Sequence, residues 1–410
     1  MKKIFLIVIL LLAANFADAG PVSYYGRLQV REGRAFIDGV KEGRDNIRLV
    51  QIRGTSFGWS NTGWESARFY NANAVERVVK DWKAEVVRAA YGATRDAFSS
   101  ANAIANRERV ETVIDAAIAN DVYIIIDWHS HNAHSETETQ NAIDFFSYMA
   151  EKYGKYDHVI FELYNEPTNA NNGTWPNIKA YAEKVIPFIR AHSSNLILVG
   201  TPEWCQRVET VIGNAIDDPN IGYVLHFYAY SHSLPAFFSN VDAVISSGLP
   251  IFVTEYGTTH SDGGQLNANN YDSHSAVRTD EWHNYMDSKK ISSVAWNIND
   301  KYEGSAFFGS VQGSIFDQTI AANWSDPAKM TESGKYIFNK LNNYYLTAPW
   351  NPDVVSIKSQ SIKLPLLQGS SYELYTLQGK LVRHAPGNGV YILRIRQNGT
   401  TQTKIVNFIK

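Results

Sequence analysis

The stretch FELYNEP, residues 161–167, decides the fold, because it reads as a buried strand that ends on chemistry. Val159, Phe161 and Leu163 alternate with Ile160, Glu162 and Tyr164, so the two sets face opposite sides of the strand. Asn165 and Glu166 stand at its end, before Pro167, which has no N–H to offer a ladder. Strand ends are where a rigid scaffold presents working side chains. A second carboxylate at another strand end would make this a catalytic pattern.

Similar runs of aliphatic and β-branched residues recur at 47–52, 84–89, 122–126, 158–163, 195–199, 222–225, 250–254 and 292–295. Helix-like stretches separate them at 107–120, 141–153, 178–191, 276–289 and 333–341, while the connection after the sixth run gives a weak signal. In 107–120, Val110, Val113, Ile114, Ala117 and Ile118 share one face, and Asn106 stands where an N-cap belongs. Alternation of this kind predicts a parallel sheet, and eight repeats predict an α/β fold of the (β/α)₈ barrel type over residues 20–347. The texture changes at Pro349 and Pro352, so 348–352 reads as a linker. Beyond it, 353–410 alternates and turns at Gln378-Gly379 and Asn398-Gly399, which predicts a small antiparallel β module.

Composition sets the outer bounds. A chain of 410 residues, 44% hydrophobic, can bury the core of one large barrel with an appendage. A formal net charge of −3 gives no electrostatic case for nucleic acid or an anionic membrane. Lys2 and Lys3, the apolar run 4–14 and Ala17-Asp18-Ala19 have the order of a secretory signal peptide cleaved after residue 19. The apolar run is too short for a membrane span, which needs about 20 residues. The expected product is a secreted or cell-surface monomer. Its single cysteine, Cys205, excludes an internal disulfide and a cysteine-rich metal site.

Barrel enzymes work at the carboxyl ends of their strands, and here those ends are polar in nearly every repeat. Strand two ends with Arg88, strand three with Asp127, Trp128 and His129, strand four with Asn165 and Glu166, and strand five with Trp204. Strand six ends with His226 and Tyr228, strand seven with Glu255, and strand eight with Trp296, Lys301 and Glu303. Glu166 and Glu255 would face each other across the barrel mouth, as glycoside hydrolysis requires: one carboxyl protonates the leaving oxygen while the other attacks or activates water. Taken singly, a strand-end Glu or His is more often a salt bridge or a cap. Asp127 and Glu162 stay open between orienting a catalytic neighbour and serving structure alone. His129, His131 and His134 form an H-x-H-x-x-H run that invites a metal reading, against which stand irregular spacing and the lack of an ordered acid. No metal and no cofactor is expected.

These motifs resemble glycoside hydrolase family five, retaining β-glycanases that include many bacterial endoglucanases, over about residues 25–346. The resemblance implies Glu166 as acid/base and Glu255 as nucleophile. It further implies supporting roles for Arg88, His129, Asn165, His226, Tyr228 and Trp296. Lys301 and Glu303 resemble sugar-hydroxyl ligands on the non-reducing side of the cut, and Trp204 a stacking platform on the leaving-group side. The segment GTSFGWSNTGW after strand one departs from the family pattern, and a subsite role for Trp59 rests on it. The implied activity is a secreted endo-β-1,4-glucanase with a cellulose-type polysaccharide partner. Mannan, xyloglucan or mixed-linkage glucan, and a non-catalytic glycan-binding barrel, remain alternatives. The LQGKLVR and GVYILRI…KIVNFIK segments resemble a type nine secretion system sorting domain, and the resemblance implies contact with that secretion machinery. A carbohydrate-binding module and a plain structural appendage are its rivals.

Overall fold

The computed structural model describes residues 20–31, 35–41, 48–93, 96–266, 272–351, 354–358, 370–376, 382, 389–397 and 400–409. The 1–19 segment read as a signal peptide lies outside them, as do the Gln378-Gly379 and Asn398-Gly399 turns.

Eight parallel strands close into a barrel: β1 Arg53–Phe57, β2 Val86–Gly92, β3 Tyr123–His129, β4 Val159–Glu162, β5 Ile197–Val199, β6 Ile221–Tyr228, β7 Ile251–Gly257 and β8 Ser293–Ile298. Each strand pairs with its sequence neighbour, and β8 returns to β1. Strands covered on both faces lose simple alternation, which is why YIIIDWH in β3 is buried throughout. Around the barrel run α1 Ala72–Lys80, α2 Ala101–Ala119, α3 Glu136–Tyr153, α4 Trp175–Arg190, α5 Phe238–Ser246, α6 Ala276–Lys289 and α7 Glu332–Tyr345. Their apolar faces and the outward residues of the strands form one core; in β4, Val159 and Phe161 belong to it, whereas Glu162 turns into the barrel. Replacing Ile126 or Phe161 by Ala would cost about 2–5 kcal/mol through lost burial and the cavity left behind.

Two expectations are corrected. The first barrel strand is not 47–52 but Arg53–Phe57; Arg48–Leu49 belongs instead to a separate antiparallel sheet with Arg27–Val30 and Ile37–Val40. The true strand is polar and small because it lies close to β2, where a Cβ on Gly54 would sit 1.6 Å from the Val86 carbonyl oxygen. Helix α2 begins a turn and a half before Asn106, capped by Ser100, whose hydroxyl accepts from the Ala103 N–H. Asn106 is inside the helix and buried, donating to the Gly92 carbonyl. The weak sixth connection does contain a helix, α5.

A second unit begins at Asn342 and holds the C-terminal strands. Its four strands, β9 Val354–Lys358, β10 Ser370–Thr376, β11 Gly389–Gln397 and β12 Thr400–Ile409, form a sheet in the order β9-β12-β11-β10. Two pairings are antiparallel as expected, but β9 runs parallel to β12. Among the described residues no helix is long and apolar enough to cross a membrane.

Candidate active site

Arg88, in the middle of β2, projects into the barrel and is wholly buried. Its Nε and Nη2 donate to Glu162 at 2.7 and 3.2 Å, Nη2 also meets Asp127 Oδ2 at 2.8 Å and Asn165 Oδ1 at 2.7 Å, and Nη1 donates to Glu255 at 3.1 Å. One guanidinium thus orders the ends of β3, β4 and β7. A fork of fixed donors suits that task, where a lysine ammonium would offer only a point charge. Glu162 and Asp127 are therefore the carboxyl groups that hold Arg88 in place.

Glu255 ends β7 and is nearly buried. One oxygen takes the Arg88 donor, and the other accepts from the Tyr228 hydroxyl at 2.7 Å. Donors on both oxygens stabilise the anion and aim it.

Glu166 lies opposite, with one oxygen 3.0 Å from His226 Nδ1 and the other 3.3 Å from His131 Nε2. Carboxylate oxygens of Glu166 and Glu255 come within 4.8 Å of each other. Burial raises the Glu166 carboxyl, but hydrogen bonds to His131 and His226 and their charge outweigh it and hold the group well below the usual carboxylate range. The residue expected as the acid/base is thus held towards its ionised form by its two histidine neighbours.

Thr254 donates its hydroxyl hydrogen to Glu162 at 2.6 Å, so its oxygen accepts from His226 Nε2–H at 2.8 Å. With its hydrogen on Nε2, a neutral His226 turns a bare Nδ1 towards Glu166, so the proton between them belongs to that hydrogen bond.

Two connected hollows, of about 800 and about 1000 Å³, flank this pair. The first is lined by Trp59, Trp64, His129, Trp296, Lys301 and Glu303, among others; the second by Trp204, Gln206 and His232 beside the two glutamates. Trp296 stacks on His129 with centroids 5.3 Å apart and planes 3° off parallel, while Trp59 meets the His129 edge at 4.3 Å. Lys301 and Glu303 pair at 2.7 Å. Every site residue expected from sequence therefore reaches this cleft or the network beneath it. Sequence reasoning missed His131 as a Glu166 partner and Trp64, half exposed and stacked on Trp59 at 5.2 Å. His131 could have been found from its place two residues beyond His129.

The histidine run does not converge, for His134 turns to the Tyr164 hydroxyl and the Asn171 carbonyl. Glu166, His226 and Glu255 are close enough to ligate a cation, but Glu255 already faces the fixed guanidinium of Arg88.

A pair of carboxyls at this spacing, at the mouth of a (β/α)₈ barrel lined with indoles, defines the class of barrel glycoside hydrolases. Residues 41–302 match the model of the cellulase family, glycosyl hydrolase family 5. Endoglucanase Z of Dickeya dadantii is 41% identical over 72% of this chain, which spans 64% of that protein's length. An endoglucanase of Clostridium saccharobutylicum is 32% identical, covering 88% of this chain and 77% of that one. Among solved structures, the catalytic domain of Thermobifida fusca endoglucanase Cel5A superposes with a TM-score of 0.66 at 27% identity, covering 79% of this chain and 100% of that one. The chain belongs to glycosyl hydrolase family 5.

Proposed function

We propose that this chain is an endo-β-1,4-glucanase that cleaves internal bonds of cellulose-type glucans by a retaining double displacement. The observation that carries the reading is the approach of a Glu166 carboxylate oxygen to within 4.8 Å of a Glu255 oxygen, which supports the close pairing of carboxyl groups, about 5–5.5 Å apart, that retaining enzymes use. Glu255, ionised against Arg88 and Tyr228, attacks the anomeric carbon as the bond to the leaving oxygen breaks. That oxygen gathers negative charge and draws the proton shared by Glu166 and His226 through the Glu166 carboxyl. Glu166 then takes a proton from water, whose oxygen attacks the same carbon and releases Glu255. Trp296 forms the floor beneath the reacting sugar, Lys301 and Glu303 bind hydroxyls on the non-reducing side, and Trp204 stacks the leaving-group sugars.

The related endoglucanases and a Thermobifida fusca Cel5A complex with cellotetraose support a β-1,4-glucan backbone. Reducing-sugar release from soluble cellulose, mannan and xylan side by side tests that choice, and proton NMR of the first product tests the stereochemistry. An inverted first anomer would overturn the mechanism. We further infer export through residues 1–19 and a sorting role for 353–410, supported by the order of basic, apolar and small residues and by the LQGKLVR and KIVNFIK segments. Deleting 353–410 in the native host and finding the enzyme still outside the cell would remove the sorting role.

A further inference from the structure

The geometry points to Asp127 as a positioning residue that fixes His129 with its hydrogen on Nδ1, so that Nε2 meets the sugar on Trp296 as a hydrogen-bond acceptor. This deepens the glucanase reading and rests on it for the identity of the ligand, but the tautomer itself is a property of the free protein.

Asp127 Oδ2 lies 2.6 Å from His129 Nδ1 and 2.8 Å from Arg88 Nη2, and all three side chains are buried. A carboxylate oxygen held 2.8 Å from the Arg88 guanidinium by charge meets the imidazole as an acceptor, which places a hydrogen on Nδ1. Burial, reinforced by the Arg88 charge, pushes His129 down to about 3, so the ring is neutral and carries a single hydrogen. Nε2 therefore keeps its lone pair. Among the described residues it has no hydrogen-bond partner, and the ring lines the cleft.

The protonation state of Asp127 does not reverse this. Burial pushes the carboxyl up to about 7 against the pull of Arg88. A proton gained there belongs on Oδ1, which is buried and without a partner among the described residues, because Oδ2 lies against the Arg88 charge, which disfavours a proton on it. His129 Nδ1 remains the donor in both states. The ring is also clamped in orientation, face to face with Trp296 and edge on to Trp59. A sugar lying on Trp296 must then offer Nε2 a hydroxyl hydrogen, and a substituent lacking one leaves the lone pair unmet.

Nitrogen-15 NMR of the full chain, labelled at histidine and assigned by comparison with His129→Gln, separates protonated from unprotonated ring nitrogens. The wild-type protein near pH 8 should show His129 with Nδ1 protonated and Nε2 bare. Asp127→Ala removes the acceptor, and a free neutral imidazole prefers its hydrogen on Nε2. The pattern should shift towards that form, and kcat/KM on soluble glucan should fall on the order of tenfold or more. Asp127→Asn keeps an oxygen for Nδ1–H and should restore the wild-type pattern. A merely structural Asp127 would lower the melting temperature in the Ala variant without moving the tautomer, and that result overturns the proposal. So does a wild-type spectrum with the hydrogen on Nε2, which decides the matter even if the Ala variant fails to fold. The spectra need no turnover, so they stand apart from any failure of the glucanase assay.

Discussion

Arg88 shows at the scale of one residue how much of this site is electrostatic. Its guanidinium is fully buried yet meets Asp127, Glu162 and Glu255, so its loss would strand three carboxylates in the barrel. Arg88→Ala should destabilise the fold by about 3–5 kcal/mol, measured by denaturant unfolding, and abolish turnover. The two glutamates should separate by role. Glu255→Ala should lose nearly all activity and regain part of it with azide, which enters the vacated space and gives the opposite anomer. Glu166→Ala should still glycosylate itself from an aryl glycoside whose leaving group needs no proton, and azide should then give product of retained configuration. His131 is raised above its ordinary value chiefly by its hydrogen bond to Glu166. The pair's contribution is full where both partners are charged when unfolded too, between about 4.3 and about 6.5, and is lost as pH rises through the raised histidine value. The gap in melting temperature between wild type and His131→Gln should therefore be widest near about pH 6 and close on the alkaline side. These residues were legible in the sequence because catalytic groups sit at strand ends. The His131 contact was not, because it depends on how the loop after β3 folds back over Glu166.

At the scale of elements, the turn after β5 sets the wall of the hollow that holds Trp204. Glu203, Trp204 and Cys205 all adopt left-handed backbone conformations, with φ of 55°, 55° and 59°, a strained choice for residues with side chains. The turn is tied to the loop bearing the acid: the Trp204 N–H donates to the Pro167 carbonyl at 2.9 Å and the Cys205 thiol to the Asn165 carbonyl at 3.0 Å. It holds Trp204, 45% exposed, at the edge of the cleft. Trp204→Ala should mainly raise KM and shift the lengths of cello-oligosaccharide products. Trp296→Ala should also cut kcat if the proposed place of that ring under the reacting sugar holds; equal small effects from both would contradict the assignment. Periodicity made strands such as β3 and helices such as α6 readable. It failed for β1, whose Gly, Thr and Ser are chosen for close packing rather than for apolar burial, and for the start of α2, where Ser100 and Asn106 are both plausible caps and only tertiary contacts select between them.

For the whole molecule, the unit Pro21–Leu341 has its own continuous core, so a chain ending near Pro349 should fold and hydrolyse soluble glucan at the full-length rate. Loss of activity in that shortened chain would assign the C-terminal sheet a supporting role. The parallel pairing of β9 with β12 was not visible beforehand, since alternation reports which face a residue takes and not which strand lies beside it. The barrel's interior has one more consequence. Three carboxylates gathered around a single guanidinium leave the floor of the cleft negative before any ligand arrives. A glucose mimic with a protonated ring nitrogen should for that reason inhibit far more strongly than its uncharged counterpart, and Glu255→Gln should erase most of the difference.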